Sequence, residues 1–194
     1  MKGFFLFSGL LICLYIFLGG LEISRPGGVL APDEPHQRDV DTSSFREKDG
    51  YRIALLAMFD IRARVISVAR YRFGRAADLS PVDLVLGWGA MSDGDVLKKI
   101  SFSQGGRGYT WRTSTFPVPR EVIETHSANM HMIPANGEIE RQLKSMRGGN
   151  MVSLKGFLVD VSTKEGWRWK SSLTRADTGG GACELVLVES LYVW

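Results

Sequence analysis

Three residues of this chain have side chains suited to catalysis or metal binding, namely His126, His131 and Cys183. Two histidines five residues apart can share a metal ion if the segment between them bends. A thiol beside a histidine is the arrangement of a cysteine nucleophile, and Asn129 is placed to orient the imidazole. The three residues are therefore the candidate catalytic set of a hydrolase.

The same residues also have a purely structural interpretation. Spacing suggests no third metal ligand, and Glu124 is the nearest carboxylate. Cys183 begins an apolar segment, where a free cysteine usually packs as a small hydrophobic side chain and burial raises the thiol pKa. We therefore predict no bound metal, no cofactor and no reactive thiol, and we keep the hydrolase as the alternative function.

Four other residues are candidates for ligand binding: Arg175, Asp177, Trp167 and Trp169. Arg175 and Asp177 adjoin a glycine-rich loop, whose backbone N–H groups can converge on an anion. A hairpin loop capped by its own aspartate fits the same pattern. Trp167 and Trp169 lie two residues apart, hence on one strand face, as core, as an aromatic ligand platform or as a partner surface.

An arginine-rich segment, residues 62–75, also contains Tyr71 and Phe73. Cations interleaved with aromatic rings are typical of surfaces that bind single-stranded nucleic acid. A solvated strand face explains the pattern equally well, and the net charge of +3 is modest. We expect no nucleic-acid partner.

The elements that must position these residues are mostly strands. Alternating apolar residues predict a long strand from Ile53, with period two clearest from Ile61. Capping residues predict short helices from Ser80 and up to Ile100, and a further helix over 138–146. The aromatic segment 101–111 is predicted to be a strand or a hairpin, and three segments within 151–194 are predicted strands. Five strands and short helices predict an α+β, mainly antiparallel, OB-like small β-barrel over residues 51–194.

The N-terminal segment is a run of 19 residues without charge, 3–21. About 20 apolar residues cross a bilayer as a helix, whereas the apolar core of a signal peptide has roughly 7–15. We predict an uncleaved transmembrane helix over residues 1–24, followed by a linker, 25–50. The protein is then expected to be single-pass in the cytoplasmic (inner) membrane, with its domain facing the periplasm or cell exterior.

Three sets of short motifs are familiar in combination. They are 79–83 (LSPVD) with 87–89 (GWG), 126–131 (HSANMH), and 172–175 (SLTR) with 177–179 (DTG) and 182–184 (ACE). Together they resemble a family of short, uncharacterised bacterial proteins with an N-terminal membrane segment. The resemblance implies a bacterial origin and carries over no activity.

The sequence thus predicts a membrane-anchored, extracytoplasmic domain that binds a ligand or acts as a scaffold, as a subunit of an envelope assembly. Its expected partners are the lipid bilayer and other membrane or envelope proteins. A hydrolase using His126, His131 and Cys183 is the alternative function. Of the two cysteines, only Cys183 lies outside the apolar N-terminal segment, which excludes an intrachain disulfide within the domain.

Overall fold

The computed structural model describes residues 22–41, 43–174, 177 and 182–194. Of these residues, 46% are in strands and 17% in helices. The strands are β1 (His36–Asp39), β2 (Phe45–Lys48), β3 (Tyr51–Arg70), β4 (Val82–Gly87), β5 (Ser101–Gly105), β6 (Gly108–Arg112), β7 (Ser127–Pro134), β8 (Met151–Ser162), β9 (Arg168–Lys170) and β10 (Glu184–Val193). The helices are α1 (Arg75–Leu79), α2 (Gly94–Leu97), α3 (Arg120–Thr125) and α4 (Gly137–Ser145), with a 3-10 turn at Gly89–Ser92.

Five of the strands pair in a closed ring within one eight-stranded sheet. The ring runs β3–β4–β7–β10–β8 and returns to β3. Only β7 and β10 run parallel, and α4 lies in the connection from β7 to β8. Outside the ring, β1 and β2 pair with β3, and β9 pairs with β8. The hairpin β5–β6 is a separate two-stranded sheet.

The main core lies on the inner face of this ring. Strand β3 alternates strictly there, with every second residue from Ala57 to Val65 buried, as the two-residue period of a strand requires. Side chains of all five ring strands meet Ile139, Leu143 and Met146 at α4. A second apolar cluster on the outer face includes Ile53, Leu185 and Leu187, and Trp167 and Trp169 pack against it.

The predicted fold class is corrected in its composition and in the identity of its strands. The described residues form a mostly β fold and not an α+β, OB-like barrel behind a transmembrane helix. Segment 101–111, predicted as a strand or a hairpin of the barrel, forms a hairpin that is separate from the ring, and β9 is an edge strand outside the ring. Two ring strands, β4 and β7, were missed by the sequence prediction.

Strand β4 replaces the helix predicted from Ser80. All six of its residues are buried, because side chains on both faces of the strand are covered. A strand covered on both faces has a continuous apolar sequence, which periodicity does not distinguish from a short helix. The helix in this region, α1, ends one residue before Ser80.

The predicted transmembrane topology is also corrected. No helix among the described residues is long and apolar enough to cross a membrane, and α4, the longest of them, has nine residues. This finding contradicts the prediction of a membrane protein with a transmembrane helix and a single-pass inner-membrane localisation. The apolar segment 3–21, on which that prediction was based, lies outside the described residues.

The segment predicted as a linker, 25–50, contains two strands of the main sheet. His36 to Asp39 of β1 pair with Asp60 to Ala57 of β3, and β2 pairs with the start of the same strand. Near its beginning, the segment is fastened by Arg25, which donates hydrogen bonds to the carbonyls of Gly149 (2.7 Å) and Trp194 (2.6 Å). These contacts bring Glu34 to the edge of the ring.

Candidate functional site

A large cleft lies between the hairpin β5–β6 and strand β9, above the outward face of β7. Its volume is about 1300 Å³. Aromatic and cationic side chains dominate its walls. The aromatic rings are those of Trp88, Tyr109, Trp111, Phe116, Trp167 and Trp169, and the cations are Arg107, Arg112, Arg120, Arg168 and Lys170, against the acids Glu124, Asp177 and Glu184.

The hairpin that forms one wall is set by its turn. Gly106 and Arg107 both have positive φ, 58° and 68°, which is the geometry of a two-residue type I′ turn. This turn carries Arg107 at the tip of the hairpin and directs its side chain toward β4. The hairpin is held over β7 by Tyr109, whose hydroxyl donates to the carbonyl of Ser127 at 2.9 Å.

Below the tip lies a buried ionic cluster made of Asp83, His131 and Arg107. Asp83 of β4 and His131 of β7 are directly opposite each other in the strand register. His131 Nδ1 lies 3.0 Å from Asp83 Oδ1, within ion-pair distance but without hydrogen-bond alignment. Arg107 Nη1 donates to the same Oδ1 at 2.7 Å. Asp83 is 0% exposed and His131 is 3% exposed, so the carboxylate has exchanged its water for these two partners.

Aromatic rings enclose this cluster. The Arg107 guanidinium carbon lies 3.7 Å from the ring centre of Tyr71, a stacking contact that favours the cation. The rings of His131 and Trp169 are 4.7 Å apart. Burial raises the pKa of the Tyr71 hydroxyl, and the nearby Asp83 carboxylate raises that pKa further. Trp169 thus covers part of the cluster on the side of the cleft.

Cys183 borders the cleft but has no catalytic partner. Its Sγ donates to the Arg107 carbonyl and accepts from Asn129 Nδ2, each at 3.7 Å. Asn129 also donates to the Arg107 carbonyl at 3.3 Å and accepts from Gln104 Nε2 at 2.8 Å. Burial raises the pKa of the Cys183 thiol, with the Asn129 hydrogen bond acting in the opposite direction. Among the described residues Sγ has no hydrogen bond to His126 or His131, so these contacts fasten the hairpin tip.

His126 lies in a different part of the structure from His131 and Cys183. His126 Nε2 lies 2.9 Å from Glu34 Oε1, and Trp88 Nε1 donates to Glu34 Oε2 at 2.7 Å. On the other side of the ring, His126 Nδ1 is 2.9 Å from the Thr125 hydroxyl. This site ties the segment before β1 to the ring. The predicted trio of His126, His131 and Cys183 is therefore not one site.

The four predicted ligand-binding residues are distributed as follows. Trp167, directly before β9, and Trp169, within it, line the cleft with ring centres 6.2 Å apart. Asp177 also lines it and accepts a hydrogen bond from the Ser172 hydroxyl at 2.6 Å. Arg175 lies outside the described residues. Within the described part of the chain, no group of three or more His, Cys, Asp or Glu residues is arranged to hold a metal ion.

Sequence reasoning missed Asp83 and Arg107. Asp83 was interpreted as a helix-capping residue, although an acid within a continuous apolar run is a sign of a paired buried charge. Arg107 lies in a glycine-rich turn, and the pattern G-G-R-G between two aromatic segments is itself a hairpin signal. Neither signal identifies His131 as the third residue of the cluster, because the contact of His131 with Asp83 depends on strand register.

Comparison with protein-family models, curated proteins and solved structures finds no significant match. The resemblance to a family of short bacterial proteins therefore stays a prediction.

Proposed function

We propose that this chain is a non-catalytic binding domain whose cleft takes an anionic ligand with apolar groups. The supporting observation is the composition of the walls, where rings and cations occur on both sides of a cavity of about 1300 Å³. Binding sites of small ligands commonly occupy some 300–1,000 Å³, so this cleft accommodates a larger ligand or part of a partner. Arg112 and Lys170 have no ion-pair partner among the described residues and are available to an anion.

The cluster beneath the cleft fits a supporting role in this function. Arg107 is already neutralised by Asp83 and shielded by Tyr71 and Trp169. These contacts hold the hairpin wall in place opposite β9, which lowers the entropic cost of ligand binding.

The test uses 1-anilinonaphthalene-8-sulfonate, an anionic dye with apolar rings, added to the folded full chain. We expect saturable binding that is at least about fivefold weaker in Phe116→Ala and in Arg112→Glu, since each removes one contact of about 1 kcal/mol. The matched controls are Phe73→Ala and Arg62→Glu, exposed residues outside the cleft. Lack of binding, or equal losses in controls and cleft variants, would refute the proposal.

A second candidate function is thiol-dependent hydrolysis, and one observation favours it. His131, which is paired with Asp83, and Cys183 line the same cleft, and these are the residue types of a cysteine hydrolase. The contacts of Sγ with Asn129 and the Arg107 carbonyl, and its raised pKa, weigh against it. We therefore rank hydrolysis below binding.

A further inference from the structure

The two walls of the cleft are strand edges and not only strand faces. In a strand, successive side chains point to opposite faces, so a cavity beside one face touches alternate residues. Here the cleft is lined by every residue from 106 to 113 and from 167 to 170. Unbroken runs of lining residues mean that the backbone itself faces the cavity along both β6 and β9.

Both strands have an open edge. Strand β6 pairs with β5 alone, and β9 pairs with β8 alone, among the described strands. In the two-residue hairpin, Gly105 and Gly108 form the hydrogen-bonded pair that closes the turn, so bonding alternates from there. The backbone N–H and C=O of Tyr109 and Trp111 consequently point away from β5.

The same alternation applies to β9. The amide of Thr163 donates to the Trp167 carbonyl, and that of Ser171 donates to the Val159 carbonyl. Trp167, Trp169 and Ser171 therefore bond toward β8, which leaves the backbone groups of Arg168 and Lys170 directed to the outer edge.

Open edges of this kind are templates for a further strand, and natural proteins usually cover or blunt them. Recognition by strand addition uses such an edge for affinity and side-chain pockets for specificity. The longer edge is β6, and the opposite wall supplies Trp167 and Trp169 with the cations Arg168 and Lys170. Because cationic side chains outnumber acidic ones along the cleft, a negatively charged ligand is expected there.

We propose that the cleft binds an extended acidic peptide segment of a partner protein, added as a strand to the open edge of β6. This inference rests on the proposed function and names its ligand class. Acidic side chains of the peptide pair with Arg112 and Lys170, and its alternate apolar side chains contact the tryptophans. A single-stranded nucleic acid shares the charge and the stacking, but it has no amide groups to bond a strand edge.

The experiment displaces the dye from the unaltered full chain with a synthetic ten-residue peptide of alternating Glu and Val. Two further peptides carry N-methyl groups either on every Glu or on every Val. Because alternate amides of a strand point to opposite sides, only one of the two sets meets the β6 edge. We expect one N-methylated peptide to bind at least about tenfold more weakly, since several hydrogen bonds are lost, and the other to bind nearly as the parent.

Three further outcomes are decisive. Displacement by the peptide of alternating Lys and Val with equal strength overturns the charge assignment. Equal binding of both N-methylated peptides and the parent overturns strand addition while leaving the binding function intact. Displacement by a deoxythymidine oligonucleotide and not by the acidic peptide overturns the peptide in favour of nucleic acid.

Protein variants test independently whether the peptide binds in this cleft. Arg112→Glu should weaken the acidic peptide by at least about fivefold, since it reverses a contact worth about 1 kcal/mol, while Arg62→Glu should not. If the dye fails to bind at all, the proposed function itself fails. If the dye binds and the peptide does not displace it, only the present inference fails.

Discussion

The two histidine–carboxylate pairs of this protein have similar distances and opposite surroundings. His131 and Asp83 lie 3.0 Å apart with side chains 4% and 0% exposed, whereas His126 and Glu34 lie 2.9 Å apart at 27% and 63%. A buried carboxylate without its partners leaves a charge in a poorly polarisable interior, and removal of one partner is strongly destabilising. An exposed pair is screened by water and contributes little. Distance alone therefore does not indicate which pair stabilises the fold.

The largest expected effect comes from breaking the buried pair. Asp83→Asn keeps the shape of the side chain but removes the charge that Arg107 and His131 face. We expect a loss of about 3–5 kcal/mol in the free energy of unfolding, measured by urea denaturation. Glu34→Gln is the matched control, with an expected loss below about 1 kcal/mol. Similar losses in the two variants would show that burial does not separate the pairs.

The next prediction concerns whether the His126 ring is free to move. Gly89 has φ of +51°, and a Cβ there would lie 2.8 Å from His126 Cδ2. Gly89→Ala should cost about 1–2 kcal/mol from the left-handed backbone alone, with an additional cost if the ring cannot move. The same substitution in a His126→Ala background isolates that addition. An unchanged cost in this background would mean that the half-exposed ring moves freely.

A smaller effect tests the arginine of the buried cluster. Arg107→Lys keeps the charge but loses the stacking on Tyr71 and the planar fork that also reaches the Ser80 carbonyl at 2.9 Å. We expect a loss of about 1 kcal/mol in urea denaturation. The control is Arg62→Lys, an exposed residue of β3, where the change should stay within about 0.5 kcal/mol. Equal changes would contradict the importance of stacking.

The smallest effect concerns the thiol beside the cluster. Burial raises the pKa of Cys183 in the folded chain, so above roughly pH 8.5 the unfolded chain loses this proton first. The contribution of the Cys183 thiol to the free energy of unfolding is thus fully present below that pH. It is lost as the pH rises through the pKa of the thiol in the folded chain. Cys183→Ala should flatten the decline of unfolding free energy above that pH.

Labelling with iodoacetamide gives a second measure of the same thiol. We expect slow labelling of folded protein at pH 7, with a rate that rises with pH. Fast labelling at pH 7 that is lost in His131→Ala would favour the hydrolase.

Local patterns in the sequence were sufficient for some elements. The alternation from Ile61 predicted the second half of β3, and the segment 138–146 predicted α4, which spans Gly137–Ser145. The side-by-side position of Trp167 and Trp169 also followed from their spacing. These features depend on neighbours within a few residues, which is the range over which periodicity acts.

The candidate site was decided by tertiary structure. Asp83, Arg107 and His131 are separated by 24 residues at each step, and they meet only because β4 pairs with β7 in one register while the hairpin folds over both. A shift of one residue would place Asp83 and His131 on opposite faces of the sheet. The sequence by itself determined strands, a helix and the residue types suited to a site. Burial on both faces of β4 and the strand register determined which of those residues form it.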